Sequence, residues 1–160
     1  MDGGAHDWRE LAVRDVAEGP LDVASALQAV SDPGFGGFAM FVGKVRDLNH
    51  GRAVTGVSYD IHAPLALATF ARICEEARAK WGPRLKLHVS HAYGRLGVGD
   101  LAVVVAAGTP HRAEAFEACR YVIEAVKHRA PIWKREHYAD GDSEWSQGCS
   151  LCGHEGDAHA

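Results

Sequence analysis

The sequence predicts an α+β domain built on a mostly antiparallel sheet with packed helices. Three observations carry this reading. The β-rich runs fall in neighbouring pairs, two amphipathic stretches with clear start and stop residues separate them, and no regular strand-helix alternation is present. That order argues against a doubly wound parallel sheet.

Residues 8–15, WRELAVRD, read as a first strand, and Gly19-Pro20 then breaks the chain. A short helix follows in LDVASALQAV, with Leu21, Ala24, Leu27 and Val30 on one side, and Ser31-Asp32-Pro33-Gly34 ends it. Residues 36–46 and 53–62 read as strands, and the polar LNHGR between them predicts a hairpin joining the two. Pro64 suits the first turn of a helix in which Leu67, Phe70, Cys74, Ala77 and Trp81 recur at steps of three and four, until Gly82-Pro83 stops it. LKLHVSHAY (85–93) and LAVVVAAGT (101–109), separated by turn-forming GRLGVGD, read as a second antiparallel pair, the latter apolar enough to be central. Thr109 reads as a capping hydroxyl before Pro110 at the first helical position, with Phe116, Cys119, Ile123 and Val126 as the buried stripe. Pro131 ends this helix, PIWKREHY is a short extended segment, and from Asp140 the chain turns Gly-, Ser- and acid-rich. One domain over 1–142 and a tail over 143–160 are expected.

The 160 residues leave room for one domain, and 47% hydrophobic with 24% charged residues are sufficient for a buried core. With 17 Lys+Arg against 21 Asp+Glu the formal net charge is −4, the wrong sign for a protein that coats nucleic acid, so any anion site is local. No apolar run is long enough for a membrane span, and MDGGAHDWRE has neither the basic start nor the apolar run of a signal peptide. A cytoplasmic protein is expected. Of the four cysteines, Cys74 and Cys119 lie in helical apolar stripes and read as reduced core residues.

The most informative stretch is residues 127–135, KHRAPIWKR, which places four fixed cations and no acid in nine residues of a net acidic chain. One reading is a solvated helix end, where cations complement the dipole. The other is an anion site, in which Pro131 fixes a turn, Ile132-Trp133 anchors the segment, and Lys127 and Lys134 meet in one cleft. Lysines near one another or partly desolvated exchange protons near neutral pH, which arginine does not. Lys44-Val45-Arg46 at a strand end and His111-Arg112 in the first turn of a helix, where unpaired N–H groups favour phosphate, are further candidates. Glu136 reads either as a surface partner of Lys134 or Arg135 or as a site residue, and Trp133 either as core or as a stacking platform.

FVGKVR at 41–46, HRAEAFEA at 111–118 and KHRAPIWKRE at 127–136 resemble signature segments of the molybdopterin synthase catalytic subunit family, over roughly residues 8–145. The resemblance implies an α/β-hammerhead fold and a homodimer. It also implies a small ubiquitin-like sulfur-carrier subunit on each protomer, giving a heterotetramer. The carrier's Gly-Gly terminus, as a thiocarboxylate, would supply two sulfurs to cyclic pyranopterin monophosphate in molybdenum cofactor biosynthesis. No bound cofactor, nucleic acid or membrane is implied. Carried over residue by residue, the substrate-binding positions are Lys44, Val45, Arg46, His111, Arg112, Lys127, Lys134, Arg135 and Glu136, with Lys127 and Lys134 catalytic. His111 and Arg112 are expected from the other subunit. Two other readings compete: a silent module binding a phosphorylated ligand or RNA, and a scaffold that docks a ubiquitin-like partner.

One departure stands out. Where relatives carry an active-site arginine near the C-terminus, the nearest alignment places Cys149. Cys149, Cys152 and His154 are zinc-binding residue types, but they crowd into one short segment, so no metal site is expected and these three are the weak candidates.

Overall fold

The structure, a computed structural model, describes residues 7–147; the Cys149, Cys152 and His154 candidates lie outside the described residues. The strands are β1 (Arg9–Asp15), β2 (Gly37–Lys44), β3 (Leu48–Asn49), β4 (Arg52–Ile61), β5 (Lys86–Gly97), β6 (Leu101–Thr109), β7 (Ile132–Tyr138) and β8 (Ser143–Gln147), with helices α1 (Val23–Ala29), α2 (Ala63–Trp81) and α3 (Arg112–Arg129). They form one sheet in the order β2-β6-β5-β4-β7-β8, with β1 beside β5 and β3 beside β4. All pairings are antiparallel except β1 with β5, so the α+β expectation holds.

Strand β6 explains the architecture. Val103, Val105 and Ala107 pack beneath α2 and α3 with Phe70, Ile73, Val122 and Val126. Val104 and Ala106 face the other way, against Leu21, Ala26 and Val30 around α1. A strand buried on both faces reads as an unbroken apolar run, which is how LAVVVAAGT appears. The long β5 uses one edge for two partners: its first half pairs with β1 and its second half, from Gly94 on, with β4.

Several local expectations are met. Pro64 lies in the first turn of α2, whose N-cap His62 accepts a hydrogen bond from Leu65 N–H, and Gly82 closes it at φ 104°. The strands 85–93 and 101–109 pair as predicted.

Others are corrected. The hairpin between 36–46 and 53–62 does not form; β2 pairs with β6, and LNHGR makes only the two-residue turn of the β3–β4 hairpin, with positive φ at His50 and Gly51. Thr109 ends β6 rather than capping α3, whose N-cap is His111 without a side-chain hydrogen bond. Phe116 is 63% exposed, and Leu27 is also exposed, with Ala26 taking the buried side of α1. The sheet continues through β8 to Gln147, five residues into the segment read as a tail, because Ser143–Gln147 ladders antiparallel onto β7.

Gly108 permits the closest approach in the fold. A Cβ there would strike the Val30 carbonyl oxygen and the Phe35 ring. Replacement Gly108→Ala is expected to lower stability by about 2–3 kcal/mol through backbone displacement; a shift in the urea midpoint at unchanged slope measures it.

Candidate active site

Two chain segments converge at one end of the sheet. Lys127 lies in the last turn of α3, after which Ala130 and Ile132 are buried and Pro131 turns the chain directly into β7. Antiparallel pairing with β4 sets Lys134 opposite Tyr59 and Glu136 opposite Val57, so these four share one face. At the end of β2 the register shifts at Gly43/Lys44, and buried Val45 bonds to Asp100 and Gly99 through its own N–H and carbonyl. Lys44 and Arg46 flank that anchor.

These residues line one polar pocket of about 160 Å³: Lys44, Val45 and Arg46 from the end of β2, Lys127 from α3, and Lys134 and Glu136 from β7, with Tyr59 in its wall. The sequence reading that both lysines meet in one cleft is matched by this geometry. Lys134 Nζ is 3.1 Å from Glu136 Oε2, and Glu136 is 7% exposed, so the carboxylate is an internal partner and not a surface one. Four cationic side chains therefore face a single carboxylate, a surplus that an anionic ligand would neutralise.

The other carried-over positions lie elsewhere. Arg135 points to the opposite face of β7, where its Nε donates to Ser143 Oγ at 2.9 Å. His111 and Arg112 are exposed at the far end of α3; His111 borders a separate cavity with Trp81, Arg84 and Glu114. Sixteen residue steps along the helix separate His111 from Lys127, about 24 Å along the axis. Within one chain they cannot share the pocket. Trp133 is 40% exposed, neither core nor pocket lining.

Sequence reasoning missed Tyr59 and His91. His91 is buried behind the pocket, with its ring edge-on to Tyr59 at a centroid separation of 4.9 Å. Its Nδ1 lies 2.8 Å from the Ala92 carbonyl oxygen, which can only accept, so Nδ1 carries a proton and donates it there. Burial pushes its pKa down to about 4; the Ala92 carbonyl opposes the shift and the Lys127 charge adds to it. A histidine inside an apolar strand carries no sequence mark of this placement.

Lys127 also borders a more open apolar cavity of about 470 Å³ lined by Met40, Phe41, Phe116, Cys119 and Ile123. Burial raises the Cys119 thiol to about 11 and the Cys74 thiol to about 12, so both are protonated at neutral pH and poor nucleophiles. Among the described residues there is no cluster of His, Cys, Asp and Glu suited to a metal ion, and no helix is long and apolar enough to cross a membrane.

An antiparallel α+β scaffold thus gathers lysines from a helix end and a strand around one small polar pocket. The sequence model of the family described as MoaE protein matches residues 16–129. The molybdopterin synthase catalytic subunit of Synechococcus elongatus is 49% identical over 133 residues, covering 83% of this chain and 81% of that protein. The crystal structure of molybdopterin synthase from Staphylococcus aureus superposes with a TM-score of 0.77 at 29% identity, over 87% of this chain and 96% of that one. A complex of subunits 1 and 2 of molybdopterin-converting factor from Helicobacter pylori shares the fold, with a TM-score of 0.67 at 24% identity over 88% of this chain and 90% of that one. The chain belongs to the MoaE family of molybdopterin synthase catalytic subunits.

His91 makes a pH prediction. The unfolded chain takes up this proton near pH 6.5 and the folded one only near 4, so stability from this group is full above 6.5 and falls as pH drops towards 4. Between pH 7 and 4.5 the native protein is expected to lose about 2 kcal/mol more than a His91→Gln variant, read from urea midpoints at the two pH values.

Proposed function

We propose that the protein transfers sulfur from the C-terminal thiocarboxylate of a small ubiquitin-like carrier subunit to cyclic pyranopterin monophosphate, two transfers giving the dithiolene of molybdopterin. The carrying observation is the convergence of Lys127 and Lys134 on one polar pocket with Arg46 and Lys44 at its mouth. Substrate phosphate and incoming thiocarboxylate are both anions, and fixed cations offset their repulsion. Each transfer forms a carbon–sulfur bond on the pterin and breaks the carrier's acyl C–S bond, water taking the acyl carbon to leave a carboxylate; Lys127 guides the carrier terminus and moves protons during thiolate attack and water loss. Lys134, held by Glu136, serves as the second acid/base or electrostatic group. Neither described cysteine is activated, which supports a sulfur donor from outside the chain.

The active unit in this reading is a homodimer bearing two carriers in the cytoplasm. Phe41 on β2, an end strand of the sheet order, is exposed together with Phe116 on α3, and Phe38 and Val42 are exposed on the other face of the same strand, so apolar side chains flank both sides of an edge suited to a second copy. The 24 Å between His111 and Lys127 along α3 supports the same reading, because His111 and Arg112 reach a pocket only across a subunit boundary.

Two outcomes test this. Lys127→Ala is expected to lower sulfur incorporation at least about 100-fold, measured by mass spectrometry of the pterin product with thiocarboxylated carrier. Mixed dimers of Lys127→Ala and Arg112→Ala subunits, each inactive alone, are expected to recover about a quarter of native activity, since half of random dimers are hybrids with one intact pocket. Failure of the mixture to recover would place Arg112 outside the shared site.

A further inference from the structure

The LNHGR segment forms a hairpin turn, yet two of its residues, Leu48 and Asn49, line the lysine pocket. Asn49 ends β3 opposite Arg52, across a tight turn with φ 52° at His50 and 77° at Gly51. The residue is half-buried, and its Nδ2 donates to Tyr138 Oη at 3.0 Å. Tyr138 is itself fixed. It is 5% exposed, its N–H bonds to the Asp142 carbonyl oxygen at 2.9 Å, and the Arg52 guanidinium stacks on its ring at 3.7 Å from the centroid. Asp140 and Asp142 hold that guanidinium at 3.0 and 3.1 Å. The Asn49 amide therefore rests on a built support in the pocket wall, with its nitrogen committed to Tyr138.

Acceptors are scarce in this pocket. Lys44, Arg46, Lys127 and Lys134 can only donate hydrogen bonds. The Glu136 carboxylate accepts, but it is already engaged by Lys134 at 3.1 Å. Tyr59 and Asn49 are the neutral polar side chains in the lining among the described residues. A phosphate is met by the cations, whereas neutral N–H and O–H groups of the same molecule need an acceptor. A second carboxylate would supply one and repel the phosphate, and an amide oxygen supplies one without that cost. With Nδ2 at Tyr138, Oδ1 is the end of Asn49 left for this purpose.

We propose that Asn49 is a specificity-determining residue of this pocket, its Oδ1 accepting a hydrogen bond from a neutral N–H or O–H group of the pterin substrate while the surrounding cations hold the phosphate. Tyr138 is the positioning residue behind it. This rests on the function proposed above and divides recognition into two parts, charge for the phosphate and one directed neutral contact for the rest of the molecule. A bare anion engages only the first part. A ligand lacking the donor is disfavoured because the half-buried amide oxygen is then left without a partner. The hairpin that carries Asn49 is tied to the β7–β8 turn through Arg52, Asp140 and Asp142, so the contact is held in place before substrate arrives.

The test is steady-state sulfur transfer from thiocarboxylated carrier, read by mass spectrometry of the pterin product, in the native protein, Asn49→Ala, Tyr138→Phe and the double variant, with inorganic phosphate as a competing anion. Circular dichroism melting first establishes that each variant is folded. Asn49→Ala is expected to raise the KM for the pterin about tenfold and to change kcat less than about twofold, leaving the KM for the carrier and the phosphate inhibition constant as in the native protein. Tyr138→Phe is expected to raise the pterin KM about threefold on its own and to add nothing in the Asn49→Ala background, as for a group that acts only through Asn49. A native-like pterin KM in folded Asn49→Ala, or a phosphate inhibition constant that rises in step with it, overturns the assignment and leaves the proposed function standing. An undiminished effect of Tyr138→Phe in the double variant overturns the positioning role. No sulfur transfer by the native protein overturns both the assignment and the function.

Discussion

Strand β6 has no solvent face, and most of the molecule follows from that. A fully buried valine contributes about 2 kcal/mol relative to an exposed one, whereas a buried peptide group without a partner costs about 1–3 kcal/mol. The apolar gain on both faces of β6 is therefore kept only if both edges are laddered. Strand β2 takes one edge along its whole length and β5 the other. With β2 committed to β6, β4 is left to pair with the far half of β5 and with β7. The functional end of the sheet is thus assembled from strands that have no edge of β6 to pair with.

The pocket inherits its charge from this arrangement. The α3 stripe that buries Val122 and Val126 against the sheet fixes the rotation of the helix, and so leaves Lys127 at the pocket edge. The period-two alternation of β7 sends Lys134 and Glu136 to the same place and keeps Arg135 out of it. Glu136, 3.1 Å from Lys134, offsets one charge, and the four cations Lys44, Arg46, Lys127 and Lys134 together leave the pocket net positive. His91 behind the pocket stays neutral, and a fifth charge there would press on Lys127. At an effective dielectric of about 20, each unit charge 4 Å from a bound anion is worth about 4 kcal/mol before desolvation.

Helices α2 and α3, the β5–β6 pair and the lysine cleft were legible in the sequence because each rests on local spacing: stripes at three and four residues, a glycine-rich turn, a proline after the last helical turn. What was not legible depends on contacts remote in sequence. LNHGR is a sound turn, yet nothing in it reports that β6 captures β2. Phe116 fits the α3 stripe by spacing, but its position faces past the sheet edge and is left bare. Thr109-Pro110 has the form of a helix start, while the ladder of β6 with Gly37 holds Thr109 in the sheet and displaces the cap to His111. Tyr59 and His91 reach the site only through the pairing of β4 with β5 and β7, which no motif announces. In the resemblance, Lys134, Arg135 and Glu136 travel as one block, whereas a strand necessarily divides such a block between two faces.

The two ends of helix α3 differ in charge balance. At its C-terminus Lys127, His128 and Arg129 complement the helix dipole, and Arg129 is further tied to Glu76 at 2.7 Å. At its N-terminus the cap His111 makes no side-chain hydrogen bond, and Arg112 adds positive charge where the dipole is already positive. Glu114 in the first turn offsets part of this, but it forms no ion pair with Arg112 among the described residues. Open N–H groups and a cation together are costly alone and favourable beside an anion. One rigid helix of about 27 Å therefore presents a satisfied cationic end to its own pocket and an unsatisfied one some distance away. In the proposed dimer that second end meets the phosphate held by the neighbouring subunit, so the same helix that orders one site completes the other.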